Sequence, residues 1–518
     1  MNINRRSTLK LLAAGAGSLL FRTSVSQQMP QVTPGPYSAN RDSLARYTIP
    51  DWFADAKFGI WAHWGPQSAI GDGDWYARNM YLQGNSQYDY HLKRFGPQSK
   101  VGYKDLIHLF TAEKWDPDAL IDLYAKAGAK YFFSMGVHHD NFDMWNSKYQ
   151  PRWNAVAAGP RKDIVGIWAN AARKRGLRFG VSDHLSNSYD WLAPSHLSDT
   201  TGPLAGVPYD GANPDFADLY HSYSNEPADF IRTAKPMGRI APDSWKLEYV
   251  RRIKDLVDQH HPDLLYTDGG IPFDAYGLTL VAEEYNLAAA RHHGRVDSIY
   301  QSKTPTDCAT GTCMLDRERG VLDGVRLQPW QTDTCIGDWH YKQGITYKSA
   351  KKVIDLLVDI VSKNGNLLLN FPLPANGELD ADERVVLQGI TDWMAVNGEG
   401  IFGSRPWKIY GEGPATLVNA GAGMNEDKKP DLTAEDHRFT TKAGFLYVFV
   451  QGWPTSELLI PALGRASAQR PGRIANVEML GSKERLRFIQ EDDVLRVTPP
   501  ELKPKSSEIG IALRIKSA

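Results

Sequence analysis

Cysteine is nearly missing from this chain. Cys308, Cys313 and Cys335 are the only three in 518 residues, and an odd number this small excludes a disulfide framework as the basis of the fold. Cys308 and Cys313 lie close enough to pair in an oxidising compartment, which the sequence leaves open, and their spacing matches no zinc-site pattern. An excess of charge is lacking too: 59 Lys and Arg stand against 60 Asp and Glu, a formal net charge of −1. No global field then gathers nucleic acid or anionic lipid, so nucleic-acid binding is disfavoured. Beyond the N-terminal segment no apolar run is long enough to span a bilayer, and no membrane partner is expected. Internal repeats, low-complexity tracts, a His-Glu-x-x-His motif and a glycine-rich dinucleotide fingerprint are also absent. Their absence disfavours a helix-borne zinc site and a doubly wound nucleotide-binding sheet.

What is present describes a globular protein with a large core, 42% apolar and 11% aromatic, with 15 Trp and 23 Tyr. Aromatics on this scale fill cores, and they also supply faces on which sugar rings stack. The length implies about two to four domains. Residues 1–26 read as an export signal of the twin-arginine type: Arg5-Arg6, the apolar run 11–21, then small residues at Ser24-Val25-Ser26. No Cys follows that run, so no lipid anchor is expected, and the address implied is the periplasm or exterior of a bacterium. Residues 27–47, rich in Pro, Ser and Asn, read as a lead-in.

From there short apolar strands alternate with amphipathic helices. Strands are expected at 58–61, 130–135, 178–182, 264–267, 298–301, 326–329 and 366–371. Helices are expected from 116, over 163–176, 244–260, 349–363 and 380–396, several opened by Asp or Ser and stopped by Gly. The stretch 186–237 reads as a long loop. Polar, reactive residues follow the strand ends at His63, His138, His139, Asp183, His184 and Asp268. Convergence of several strand ends on one face is the arrangement of a (β/α)8-like TIM barrel, assigned to residues 48–404. From 405 to 518 helical periodicity stops, and short strands with turn signals predict an antiparallel β-sandwich.

The organising stretch is Leu264-Leu265-Tyr266-Thr267-Asp268-Gly269-Gly270, a strand that runs into a carboxylate at the pocket mouth. Its two glycines allow positive φ and leave room for a ligand near the backbone. A second carboxylate, several His and several Trp near one face suit glycosidic-bond cleavage, which needs one carboxylate at the anomeric carbon and another at the leaving oxygen. Adjacent His138 and His139 invite a metal, but neighbours on an extended strand point to opposite sides, so no metal site is expected.

Taken together these residues resemble the retaining α-L-fucosidases of glycoside hydrolase family 29. The motifs are Ala54-Asp55-Ala56-Lys57-Phe58-Gly59-Ile60 with His63-Trp64-Gly65, Gly73-Asp74-Trp75-Tyr76, His138-His139-Asp140, Lys162-Asp163-Ile164-Val165, Tyr266-Thr267-Asp268-Gly269-Gly270, Asn364-Gly365-Asn366-Leu367-Leu368-Leu369-Asn370 and Asn397-Gly398-Glu399-Gly400-Ile401. The resemblance implies a barrel followed by a sandwich, exo-cleavage of terminal α-L-fucose from glycans, and no metal or organic cofactor. It assigns Asp268 as nucleophile and His63, Asp74, Trp75, His138 and His139 to the sugar pocket, with Asp183 and His184 at the next strand end as further candidates. Two positions depart from the pattern: Asp74 stands where Glu is usual, and Val181-Ser182-Asp183-His184-Leu185 replaces an aromatic-rich run. They motivate an alternative sugar such as an α-L-galactoside, and a non-catalytic carbohydrate-binding homologue is the further alternative. For the general acid, Asp316-Arg317-Glu318-Arg319-Gly320 resembles a Glu-Arg-Gly segment of the family. Glu318 is the candidate, with Asp316 and Asp333 as runners-up.

Overall fold

A computed structural model describes residues 28–418, 421, 423–428 and 430–518. The expected export signal, residues 1–26, lies outside the described residues. The lead-in is tied to the helix that follows the Asp268 strand: Thr33 donates to Glu283, and the Tyr47 ring stacks on Tyr285 at 4.2 Å.

Eight parallel strands form the main sheet: β1 Phe58–Ala62, β2 Tyr131–Val137, β3 Arg178–Asp183, β4 Leu264–Thr267, β5 Ile299–Ser302, β6 Met314–Leu315, β7 Trp330–Cys335 and β8 Gly365–Asn370. Their order, β6-β5-β4-β3-β2-β1-β8-β7, is that of a barrel cut between β6 and β7. The cut is nearly closed, because Asp316 bridges Gln331 and the Arg317 and Arg319 amides donate to the carbonyls of Gln331 and Asp333 at 2.9 and 2.8 Å. Such strands are covered on both faces and therefore read as near-continuous apolar runs; every residue of β2, Tyr-Phe-Phe-Ser-Met-Gly-Val, is buried. Small residues make space for large ones inside: a Cβ on Gly180 would come within 2.6 Å of the Phe133 ring.

The outer helices that position the strands are α1 Pro117–Lys126, α2 Ile164–Lys174, α3 Asp243–His260, α4 Ala275–Arg291, α5 Ala350–Ser362 and α6 Ala381–Asn397. Asp116, Asp163 and Ser349 cap α1, α2 and α5 with side-chain acceptors, and Asp380 with Glu383 forms a capping box on α6. The expected strand at 326–329 is not formed. Leu327 is 98% exposed there, and β7 begins directly after Pro329, which has no amide to give a ladder. Nor is the stretch 186–237 plain loop: it folds into short helical turns such as Ser188–Trp191, Ala217–Tyr220 and Phe230–Thr233. Cys308 and Cys313 form a disulfide, with Cα atoms 4.6 Å apart, between β5 and β6.

Past the barrel lie two antiparallel sheets. Five strands order as Ile474–Met479, Ile511–Ser517, Phe445–Val450, His437–Lys442 and Arg405–Glu412, and three as Leu458–Ile460, Leu495–Thr498 and Arg487–Gln490. Period-two alternation lets the larger sheet serve two cores. Val448 and Val450 face the smaller sheet, whereas Tyr447 and Phe449 join the barrel's core. The Trp393 indole of α6 completes the junction by donating to the Gly510 carbonyl at 2.9 Å.

Candidate active site

The strand ends of the barrel surround a cavity of about 290 Å³, near the lower end of the range for small-ligand sites. Asp268 stands in its wall, one residue past β4, where its amide extends the ladder by donating to the Asp183 carbonyl at 2.9 Å. The Lys303 ammonium lies 2.8 Å from Asp268 Oδ1; His139 Nε2 and His184 Nδ1 face Oδ2 at 3.4 and 3.7 Å. Burial pushes this carboxyl's pKa up, but the Lys303 cation and the two imidazoles outweigh it and hold the pKa well below the usual range. Asp268 is therefore an anion aimed into the cavity. Of the two uses expected of the glycines after it, positive φ is found at Gly269, but the space near the backbone is not left to a ligand. Gly269, at φ +88°, accommodates the Arg239 guanidinium, which donates to the carbonyls of Asp268 and Gly270, and Gly270 lies against Thr304. Protein, not ligand, occupies that space.

Glu318 reaches the same cavity from the strip that closes the barrel. Its Oε2 lies 2.5 Å from Lys303 Nζ, and its side chain keeps 22% of its exposure. Burial raises its pKa; Lys303 opposes this, and the neighbouring Asp333 and Asp268 charges reinforce it, leaving a net upward shift. One ammonium touching both carboxylates limits the separation of the two bonded oxygens to the sum of its two bond lengths, about 5.3 Å, which suits a retaining pair. The runners-up sit deeper. Asp316 is fully buried against the Gln331 amide (2.6 Å) and away from the cavity lining, with its carboxyl pushed well up by burial and by Asp333. Asp333 lines the cavity floor, fully buried, and accepts from the Tyr266 hydroxyl at 2.9 Å.

His63, Asp74, Trp75, His138, His139 and His184 all line the cavity, as do Trp61, Tyr266 and Trp339. Asp183 does not. As the last residue of β3 it points to the opposite side from His184, where Oδ2 accepts from Tyr249 of α3 (2.7 Å) and Oδ1 from the Leu185 amide (2.8 Å). Burial lifts its carboxyl to about 6, and it braces the strand end instead of meeting ligand.

The same alternation rule fails at His138 and His139. Because β2 ends at Val137, these residues are not on extended strand, and both rings enter one cluster with centroids 4.4 Å apart. Two groups, His63-Asp74-His138-His340 and His138-His139-His184, bring ligand-type atoms within 4.8 Å of one another and could geometrically hold a metal. The expectation that both rings cannot face one point is thus corrected. Much of their bonding is already engaged by protein. The Gln67 amide, fixed by accepting from the Ala77 N–H (3.2 Å), donates to His138 Nδ1 at 2.8 Å, and His139 Nδ1 donates to the His184 carbonyl at 2.8 Å. Asp74 meets His340 Nδ1 at 2.5 Å. Burial and neighbouring imidazoles hold His63 and His138 well below the usual pKa, and His184 falls to about 4, so these three rings are neutral near pH 7. His63 Nδ1, His184 Nε2 and Trp61 Nε1 are buried with no protein partner, a costly state unless they meet hydroxyl groups.

Sequence reasoning missed Lys303, Trp339, His340, Met237 and Met424. Lys303 directly follows β5, and Trp339 and His340 lie in the loop after β7, so the strand-end rule could have found them. Met424 comes from beyond the barrel, and no local signal marks it.

A parallel barrel whose mouth holds an anionic carboxylate and a second carboxylate of raised pKa, joined through one ammonium and ringed by neutral polar groups and indoles, has the make-up of a glycoside hydrolase. Comparison with known proteins makes the class specific: the alpha-L-fucosidase family profile matches residues 24–399, and the chain belongs to that family. Tissue alpha-L-fucosidase of Rattus norvegicus is 25% identical over 516 residues, covering 97% of each chain. Plasma alpha-L-fucosidase of Homo sapiens is 27% identical over 474 residues, covering 89% of this chain and 88% of that protein. Among solved structures, the Thermotoga maritima alpha-fucosidase in complex with fucose superimposes with a TM-score of 0.68 at 26% identity, over 92% of this chain and 99% of that one.

Proposed function

We propose that this protein removes terminal α-L-fucose from oligosaccharides or glycoconjugates by double displacement, with Asp268 as nucleophile and Glu318 as acid/base. The observation that carries this reading is the single ammonium of Lys303 spanning both carboxylates. Asp268 attacks the anomeric carbon while Glu318 gives its proton to the departing glycosidic oxygen, and a glycosyl ester forms on Asp268. Ester formation removes the Asp268 charge that helps raise the Glu318 pKa, so Glu318 ionises more readily and can act as base for the incoming water. Water then attacks the same carbon, restoring the starting configuration. The divergent shifts of the two carboxyls support this division of roles. Asp74 and the neutral imidazoles receive the sugar hydroxyls, and the indoles take its apolar face.

Terminal α-L-fucose is favoured over α-L-galactose by the family match; of the departures, Asp183 faces away from the cavity, while Asp74 and His184 line it. The Arg5-Arg6 pair and the apolar run after it support export from a bacterium to the periplasm or beyond, and no described helix is long and apolar enough to cross a membrane. The test is a panel of aryl glycosides together with a slow fluorinated fucoside. α-L-Fucosides should be cleaved with retention, and mass spectrometry should find the trapped ester on Asp268. Indifference to α-L-fucosides, or trapping elsewhere, overturns the reading.

A further inference from the structure

The strip that bears Glu318 is the least supported part of the barrel. β6 has two residues, and no helix lies between it and β7. Its inner edge pairs with β7, and its outer edge is held from outside the barrel, by residues 425–427. The amides of Asn425 and Glu426 both donate to the Arg319 carbonyl, at 2.9 and 3.0 Å. Asn425 also exchanges two bonds with Val321, accepting from its amide at 2.7 Å and donating to its carbonyl at 3.1 Å. The Arg319 side chain answers with Nε to Glu426 at 2.8 Å and Nη2 to Asp427 at 2.9 Å.

Glu426 is 3% exposed and accepts, besides Arg319, from Thr334 of β7 at 2.9 Å and from Lys348 at 3.0 Å. A buried carboxylate paired with two cations and a hydroxyl is a fixed point, since its own removal takes a buried counter-charge from both cations. Arg319 also sits at φ +46°, a conformation that a non-glycine residue keeps only when its surroundings hold it there. Glu318 and Arg319 face opposite ways, the first into the cavity and the second out to this anchor. Met424, next to Asn425, reaches the cavity rim, so the same segment runs along the site.

We propose that Glu426, through Arg319, is a positioning residue for the general acid, and that the segment after the barrel thereby controls proton delivery to the leaving group. The proposal rests on the reading of Glu318 as acid/base. Glu426 touches neither substrate nor reacting atoms; it sets the register of the strip, and a displaced Glu318 oxygen protonates the leaving oxygen poorly.

The experiment measures kcat/KM of the full-length protein over aryl α-L-fucosides graded from dinitrophenyl to phenyl leaving groups, for wild type, Glu318→Gln, Glu426→Gln and Arg319→Lys. Glu318→Gln should lose activity steeply as the leaving group worsens. Glu426→Gln and Arg319→Lys should show the same trend at smaller amplitude, about tenfold toward phenyl and within about twofold toward dinitrophenyl, with the basic limb of the pH profile moved. Arg319→Lys keeps the cation, so the question stays answerable if Glu426→Gln fails to fold. A uniform loss across leaving groups, or no loss, in the two anchor variants beside a steep Glu318→Gln series overturns the proposal alone. A flat Glu318→Gln series overturns the acid assignment and the proposal with it.

Discussion

Asp268 and Glu318 are the same kind of group in one cavity, held by opposite kinds of structure. Asp268 ends a strand flanked by β3 and β5, preceded by the 18-residue α3 and followed by the 17-residue α4. Glu318 lies on a seam with a two-residue strand and no crossover helix, secured by a segment that connects the strands Arg405–Glu412 and His437–Lys442. The contrast matches the two tasks proposed for them. A nucleophile must meet one carbon at one distance in both half-reactions. An acid/base must serve leaving groups of different shape and then a water. A carboxylate built into the barrel wall suits the first task, and one on a separately anchored strip suits the second.

The comparison breaks most sharply at Asp268, the proposed nucleophile. Asp268→Ala should lower kcat by at least about 10⁴-fold with every leaving group, and azide should restore part of the activity; full turnover in that variant would remove Asp268 from the mechanism. Glu318→Gln should cost about 10²–10⁴-fold with poor leaving groups and little with activated ones, a split that a stopped assay on two aryl fucosides can read. Lys303→Met tests the link between them. Because Lys303 holds the Asp268 pKa down, its removal lets Asp268 protonate at higher pH, so the acid limb of kcat/KM should move to higher pH. An unmoved acid limb would place the depression elsewhere. The smallest effect on activity is expected at Tyr249→Phe. Asp183 loses a buried hydrogen bond there, which should destabilise the fold by about 1–3 kcal/mol in thermal unfolding with KM for an α-L-fucoside nearly unchanged. A large rise in KM would return Asp183 to the sugar site.

Legibility in the sequence follows the same divide. Strands β1 to β4 and β8 are short apolar runs, so their ends, and His63, His138, His139, His184 and Asp268 beyond them, stand out in order along the chain. At the seam there is little to read: two strand residues, a loop with an exposed Leu327, and a β7 displaced past Pro329. Only a motif resemblance marks Glu318 there, while its partner Lys303 directly follows β5. Asp183 and His139 show where local geometry misleads, since one still obeys strand alternation and the other lies just past the strand where alternation stops.

Periodicity, capping residues and the order of motifs thus determine the barrel, the sandwich and the family, because each depends on neighbours within a few residues of one another. Which carboxylates share a cation, which side chain of an adjacent pair enters the cavity, and what secures the acid-bearing strip are decided only on folding. Those contacts join residues as far apart as Arg319 and Glu426. Electrostatic shifts depend on distance in space and on burial, and neither is written in sequence separation.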